Sequence, residues 1–105
     1  MLQCLILDLD GTILNTSSLA ELRDRGQWQE VYSKVSTCSI YPEIVELLNV
    51  ARTTGFKIAV ATKSPATYAK RLLAHFHIEV DSVVGFHDVQ HQKPSPDCVH
   101  KILKQ

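Results

Sequence analysis

Three short apolar runs, each separated from the next by residues with helical spacing, set the strongest limit on the fold of this chain. The first run, residues 5–7 continued by Leu9, is nearly continuous rather than alternating, and the other two cover residues 56–61 and 80–86. A continuous run predicts a strand that is buried on both faces of a parallel sheet. Strands that alternate with helices predict a parallel α/β sheet joined by right-handed crossovers.

Helical segments are expected between and after these runs. Residues 17–35 have apolar side chains at roughly helical spacing, with Gly26 as a weak point. Pro42 suits the first turn of the next helix. Ser-Pro pairs at 64–65 and 95–96 each give an N-cap residue followed by a first-turn proline, and so predict the starts of the last two helices.

Length and composition narrow the class of protein. A chain of 105 residues is predicted to be one domain, residues 1–105, and 45% hydrophobic residues argue against disorder. Eleven basic and eleven acidic side chains cancel, so no nucleic-acid partner is expected. No apolar stretch approaches the roughly 20 residues of a membrane span, so no membrane partner is expected either. The N-terminus lacks a signal peptide, and three cysteines without paired spacing favour the cytoplasm.

Two aspartates follow the first apolar run. In extended chain, residues two apart point to the same side, so the carboxylates of Asp8 and Asp10 are expected to face one space. Open α/β sheets bind ligands at this end of their strands. Two carboxylates there repel unless a cation or a proton separates their roles. Gly11 permits a sharp turn beside a ligand, and Thr12 adds a hydroxyl. An acidic turn without function is the alternative.

The second strand and the last helix each bring one more polar candidate. Thr62 ends the second strand directly before a helix N-terminus, where free N–H groups and the helix dipole attract an anion such as phosphate. Ser64 is expected to cap that helix, which leaves Thr62 unexplained by structure alone. Lys93 precedes the last helix and is in position to balance carboxylate and phosphate charge. A solvated loop lysine is the alternative for Lys93.

The segments DLDGT, VATKS and QKPSPD, in this order, closely resemble the first three motifs of the haloacid dehalogenase-like hydrolase superfamily. The ending KPSPDCVHKIL resembles the phosphoglycolate phosphatase branch, and the resemblance covers nearly the whole chain apart from about residues 15–39. It implies a Rossmann-like three-layer α/β sandwich with a parallel sheet. It also implies a magnesium-dependent phosphomonoester hydrolase, a phosphatase, whose phosphorylated substrate is not identified.

The resemblance further implies roles for individual residues. Asp8 would be the nucleophile that becomes an aspartyl phosphate, and Asp10 would protonate the leaving alcohol and then activate water. Mg²⁺ would be held by the Asp8 carboxylate and the Asp10 backbone carbonyl. Thr62 would bind the phosphoryl group, and Lys93 would stabilise both the aspartate and the phosphoryl group. The residues expected to contact substrate are Gly11, Thr12, Thr62, Lys63 and Lys93.

The chain departs from the family pattern in two places. No acidic pair matching the family's fourth motif follows Lys93, so we expect a fold truncated at its C-terminus. A non-catalytic fragment or regulatory module that cannot complete its metal site is the alternative function. Residues 15–39 stand in place of a large cap, so we expect one or two helices and an open site.

The missing strand would lie beside the first strand. Its absence predicts an exposed first-strand edge that pairs with a second copy or a partner chain. A phospho-accepting receiver domain is a third alternative. It places its acidic pair and its phosphorylated aspartate on different strands, which DLDGT does not fit.

Overall fold

The structure, a computed structural model, describes residues 3–90 and residue 102. Its centre is a parallel sheet of three strands, β1 (Cys4–Leu7), β4 (Lys57–Ala61) and β5 (Ser82–Val84), in the order β1-β4-β5. Leu7 lies opposite Val60, and Ala61 lies opposite Val84, so the three carboxyl ends lie at one edge of the sheet. The predicted parallel α/β fold is confirmed.

The remaining elements surround this sheet. Two short strands, β2 (Leu14–Asn15) and β3 (Ser39–Ile40), pair antiparallel at the two ends of the insertion. Three short 3₁₀ segments join the elements. In chain order, the other elements are α1 (Ala20–Asp24), α2 (Trp28–Ser33), α3 (Pro42–Thr53) and α4 (Ala66–His75).

The side chains of β4 alternate between two faces of the sheet. Ile58 and Val60 point into the main core, where α3 and α4 cover the sheet. Ala59 and Ala61 point to the opposite face and pack with Ile102. The predicted last helix otherwise lies outside the described residues. Both faces of the central strand are therefore buried, as its continuous apolar run predicts.

The insertion, residues 15–39, contains two short helices, in agreement with the one or two helices expected there. The helices α1 and α2 are separate, because Gly26 adopts φ +68°, a left-handed conformation that ends α1. Leu19 and Val31 from this segment are 0% exposed and belong to the main core. The insertion is therefore packed into the body of the fold.

Two predicted helix starts have different outcomes. Pro42 occupies the first turn of α3 as predicted. The prediction that Ser64 caps α4 is wrong: the helix begins at Ala66, Pro65 is the N-cap residue, and no side chain caps the helix. The Ser64 hydroxyl contacts another side chain instead, as the site geometry shows. Among the residues that the structure describes, no helix is both long and apolar enough to cross a membrane.

Candidate active site

The chain makes a tight turn where β1 ends. The Leu9 carbonyl accepts hydrogen bonds from the N–H groups of residues 12–14, at 3.0–3.3 Å. Gly11 adopts φ +78°, and its N–H donates to the Leu14 carbonyl at 2.8 Å. Leu9 is 0% exposed and anchors the turn in the core, whereas Asp8 is exposed. The turn therefore separates the two aspartates into different environments.

The carboxylate of Asp10 is surrounded by donors. Its Oδ1 accepts hydrogen bonds from Thr16 Oγ1 at 2.6 Å and from Tyr68 Oη at 2.8 Å. Its Oδ2 accepts from Ser64 Oγ at 3.2 Å and forms an ion pair with Arg23 Nη1 at 3.0 Å. An ionised carboxylate has about four lone-pair sites. All four are therefore engaged by donors of the protein itself.

The donors on the two oxygens differ in burial. Tyr68 is 0% and Thr16 is 3% exposed, whereas the Arg23 side chain is 21% exposed. Burial, followed by the charge of Asp10, raises the pKa of Tyr68 above its ordinary value, so the phenol stays protonated and donates a hydrogen bond to Asp10. The Arg23 guanidinium also lies 5.3 Å from the centre of the Tyr68 ring, within cation–π range.

Thr62 lies at the end of β4, close to this cluster. It is 4% exposed, and its Oγ1 accepts a hydrogen bond from the Ser64 N–H at 3.1 Å. Because Ser64 also donates to Asp10, one residue contacts both predicted site residues. The structure therefore brings Asp10 and Thr62 together at the carboxyl ends of β1 and β4.

The end of β5 packs directly against the start of α4. The Phe86 N–H donates to the Ser64 carbonyl at 2.9 Å. A Cβ at Gly85 would lie 2.4 Å from the backbone nitrogen of Ala66, closer than real contacts allow. Only glycine fits at position 85, and this close approach brings the end of β5 against the start of α4.

The other predicted site residues have different placements. Asp8 follows β1 directly, and its Oδ1 accepts a hydrogen bond from the Leu9 N–H at 2.8 Å. Thr12 is half-buried in the turn, and Lys63 is exposed beside Thr62. Lys93 lies outside the described residues. The roles of these residues in substrate binding stay predictions.

Three residues of the Asp10 cluster were missed in the sequence. Arg23 lies in the insertion, which matched no motif, and Thr16 lies at its start. Tyr68 was assigned to the apolar stripe of its helix, and it is 58 residues from Asp10 in the chain. No local pattern marks these contacts, because they form only when α1 and α4 pack beside the turn.

The oxygen atoms of the site determine whether it could hold the implied magnesium ion. Within residues 3–90 and residue 102, no group of three His, Cys, Asp or Glu side chains could hold a metal. The Asp10 carboxylate is occupied by protein donors, which leaves its backbone carbonyl and the exposed Asp8 carboxylate as candidate ligands. Mg²⁺ commonly takes one or two carboxylates and completes its shell with water and substrate phosphate, so these two oxygens fit it.

A model of the haloacid dehalogenase-like hydrolase family matches residues 21–105. The chain belongs to this family. The matched range contains Thr62 and Lys93 and begins after Asp8 and Asp10. The family resemblance is thereby confirmed, and the matched range includes the segments VATKS and QKPSPD.

Solved structures of family members share the fold. A HAD-superfamily hydrolase, subfamily IA, from Geobacter sulfurreducens has a TM-score of 0.76 and 17% identity, covering 99% of this chain and 73% of that chain. CbbY from Rhodobacter sphaeroides, solved in complex with phosphate, has a TM-score of 0.80 and 17% identity, covering 99% and 72%. A predicted phosphatase from Clostridium acetobutylicum has a TM-score of 0.70 and 17% identity, covering 99% and 70%. No curated protein matches the chain.

Proposed function

We propose that this hydrolase-family chain is a magnesium-dependent phosphomonoester hydrolase that acts through an aspartyl-phosphate intermediate. The observation that supports this most strongly is that the carboxylates of Asp8 and Asp10, two residues apart, differ in exposure and in hydrogen bonding. Asp8 is exposed at the end of β1, whereas Asp10 is half-buried and its carboxylate contacts four donors. An exposed carboxylate suits attack on phosphorus, and an oriented one suits proton transfer.

The proposed reaction has two steps. In the first, an Asp8 carboxylate oxygen forms a bond to phosphorus, the bond from phosphorus to the ester oxygen breaks, and Asp10, which enters this step in its protonated form, gives its proton to the leaving alcohol. In the second, water attacks phosphorus, Asp10 takes a proton from that water, and the bond between Asp8 and phosphorus breaks. Asp8 is thereby regenerated, and inorganic phosphate leaves.

The surroundings suit an anionic substrate. The amino end of α4, a helix of ten residues, lies beside Thr62 at the same edge of the sheet. Helix N-termini favour anions, and the Thr62 hydroxyl is proposed to donate to the phosphoryl group. Lys93 is proposed to balance the charge of the aspartate and the phosphoryl group. A bound Mg²⁺ would neutralise charge between nucleophile and phosphate.

A non-catalytic module is the second candidate function. The observation that favours it is that the described residues offer no group of three metal-binding side chains. A module of this kind would neither bind magnesium nor release phosphate, although it would keep the fold. Magnesium titration calorimetry therefore separates the two candidates, because only the enzyme requires a bound ion.

The experiment that tests the enzyme is hydrolysis of p-nitrophenyl phosphate by the wild type and Asp8→Asn, with magnesium and then with EDTA. We expect phosphate release that EDTA stops and that Asp8→Asn abolishes. Asp24→Asn is the matched control, since Asp24 is an exposed acid on α1. Turnover that is unchanged in Asp8→Asn would refute the nucleophile, and no turnover in the wild type would refute the activity.

The cytoplasm is the proposed location. Cys4 and Cys38 are free thiols in the described part of the chain, and burial raises the pKa of the Cys38 thiol. Unpaired cysteines are typical of proteins from reducing compartments. Labelling of a tagged chain in intact cells and in fractionated extracts checks the location.

A further inference from the structure

We propose that Arg23, a residue of the insertion, is a positioning residue that holds Asp10 in the orientation needed for proton transfer. The inference rests on the proposed phosphatase function and gives the insertion a role in that reaction. It is supported by the way in which the two oxygens of Asp10 are held.

The oxygen Oδ1 is anchored from inside the protein. Both of its donors, Thr16 and Tyr68, are buried hydroxyl groups. The oxygen Oδ2 is held at the more exposed side by Ser64 and Arg23. Oδ2 is therefore the oxygen that a substrate reaches, and its orientation depends on two donors.

Arg23 is the stronger of these two donors. Its Nη1 lies 3.0 Å from Oδ2, compared with 3.2 Å for the Ser64 hydroxyl, and it brings a full positive charge. The same Nη1 donates to Ser64 Oγ at 3.1 Å, so it also orients the second donor. Loss of Arg23 would therefore loosen both contacts to Oδ2.

The guanidinium group is itself held in place. It lies over the Tyr68 ring, and Trp28 contacts the same ring with 5.7 Å between ring centres. Arg23 Nε is buried and has no hydrogen-bond partner among the described residues. An unsatisfied buried N–H reduces stability. The guanidinium is therefore held through Nη1 and through its contact with the Tyr68 ring rather than through Nε.

The insertion that carries Arg23 is fixed to the core. Leu19 and Val31 lie on either side of Arg23 in the sequence, and both are 0% exposed. The arginine is therefore in position before substrate binds. A cap that must first close is not needed to supply it.

The kinetic test compares Arg23→Gln, Arg23→Lys and the control Arg25→Gln with p-nitrophenyl phosphate. Arg25 is an exposed neighbour that pairs with Glu21 instead. Misplacing a reacting group by ~1 Å costs up to about 100-fold in rate. We expect kcat of Arg23→Gln to fall by about 10- to 100-fold with little change in KM, since an orienting contact acts in the transition state. Arg23→Lys should recover part of the loss, and Arg25→Gln should resemble the wild type.

Two kinetic outcomes would overturn the inference. A raised KM with unchanged kcat would mean that Arg23 binds substrate rather than positioning Asp10. An equal loss in Arg25→Gln would mean that the charge of α1 as a whole is responsible. Assays at a temperature well below the thermal unfolding midpoint of each variant, measured by circular dichroism, remove the effect of partial unfolding.

A measurement without turnover separates this inference from the proposed function. Urea midpoints of Asp10→Asn, Arg23→Gln and the double variant form a double-mutant cycle. We expect the double variant to shift the midpoint by less than the sum of the single shifts. Additive shifts would show that Arg23 does not hold Asp10. Coupled shifts in a protein that releases no phosphate would instead refute the proposed function and leave the contact established.

Discussion

The hydroxyl of Tyr68 donates a hydrogen bond of 2.8 Å to Oδ1 of Asp10. Tyr68 belongs to the apolar face of α4 and is 0% exposed, so its ring packs in the core while its hydroxyl reaches the site. Tyr68 therefore both packs α4 into the core and orients Asp10, the proposed proton donor. Changes in Tyr68 should affect stability and activity together.

Tyr68→Phe should reduce the free energy of unfolding by about 1.5–3 kcal/mol near neutral pH, because it removes a hydrogen bond to a charged group. Since the pKa of Tyr68 is raised in the folded state, the folded protein holds this proton more tightly than the unfolded chain. The resulting stability is present below the unfolded pKa of about 10 and is lost as pH rises through the higher folded pKa. Urea unfolding between neutral and alkaline pH measures it.

Tyr32→Phe is the control, because Tyr32 is half-buried and packs against Trp28 and Arg71. The alkaline loss of stability should be smaller in Tyr68→Phe than in either the wild type or Tyr32→Phe. Parallel curves for the wild type and Tyr68→Phe would contradict the raised pKa of Tyr68.

Val31→Ala tests whether the insertion belongs to the core. Val31 is 0% exposed, so removing two methyl groups should cost about 2 kcal/mol of unfolding free energy. Val45→Ala on α3 is the matched control, since Val45 is 43% exposed and surface changes usually stay within about 0.5 kcal/mol. Equal urea midpoints for Val31→Ala and the wild type would show that the insertion is separate from the core.

Self-association through β1 is a further prediction. Among the described strands β1 pairs only with β4, so it lies at the edge of the sheet. Its residues are all partly exposed. The backbone N–H and C=O groups on the side of β1 away from β4 can therefore pair with a strand of another chain. We expect sedimentation velocity to show a larger species as protein concentration rises. Amide exchange within Cys4–Leu7 should slow over the same concentrations. A single monomer peak at high concentration would count against it.

The sequence predicted the sheet better than it predicted the insertion. Strand β4 is buried on both faces after Lys57, as its apolar run predicts, whereas all four residues of β1 are partly exposed. The strand expected at 80–86 is shorter, Ser82–Val84. The two-residue strands β2 and β3 gave no periodic signal, because their pairing depends on a contact between the two ends of the insertion.

The sequence predicted the site residues that follow the strands and missed those that depend on helix packing. Asp10 and Thr62 end neighbouring strands, and topology alone brings them close. Ser64 was assigned to a helix cap, but its hydroxyl donates to Asp10 because the carboxylate is a stronger acceptor. Arg23 could not be placed from sequence, since its position depends on how α1 packs against α4.

The close packing of Leu19 and Val31 against the main core limits how this protein can be redesigned. An insertion transplanted from a relative would have to reproduce their shapes as well as its own helices. New substrate preferences are therefore easier to introduce by changing the outward-facing side chains of α1 and α2 than by exchanging the segment whole.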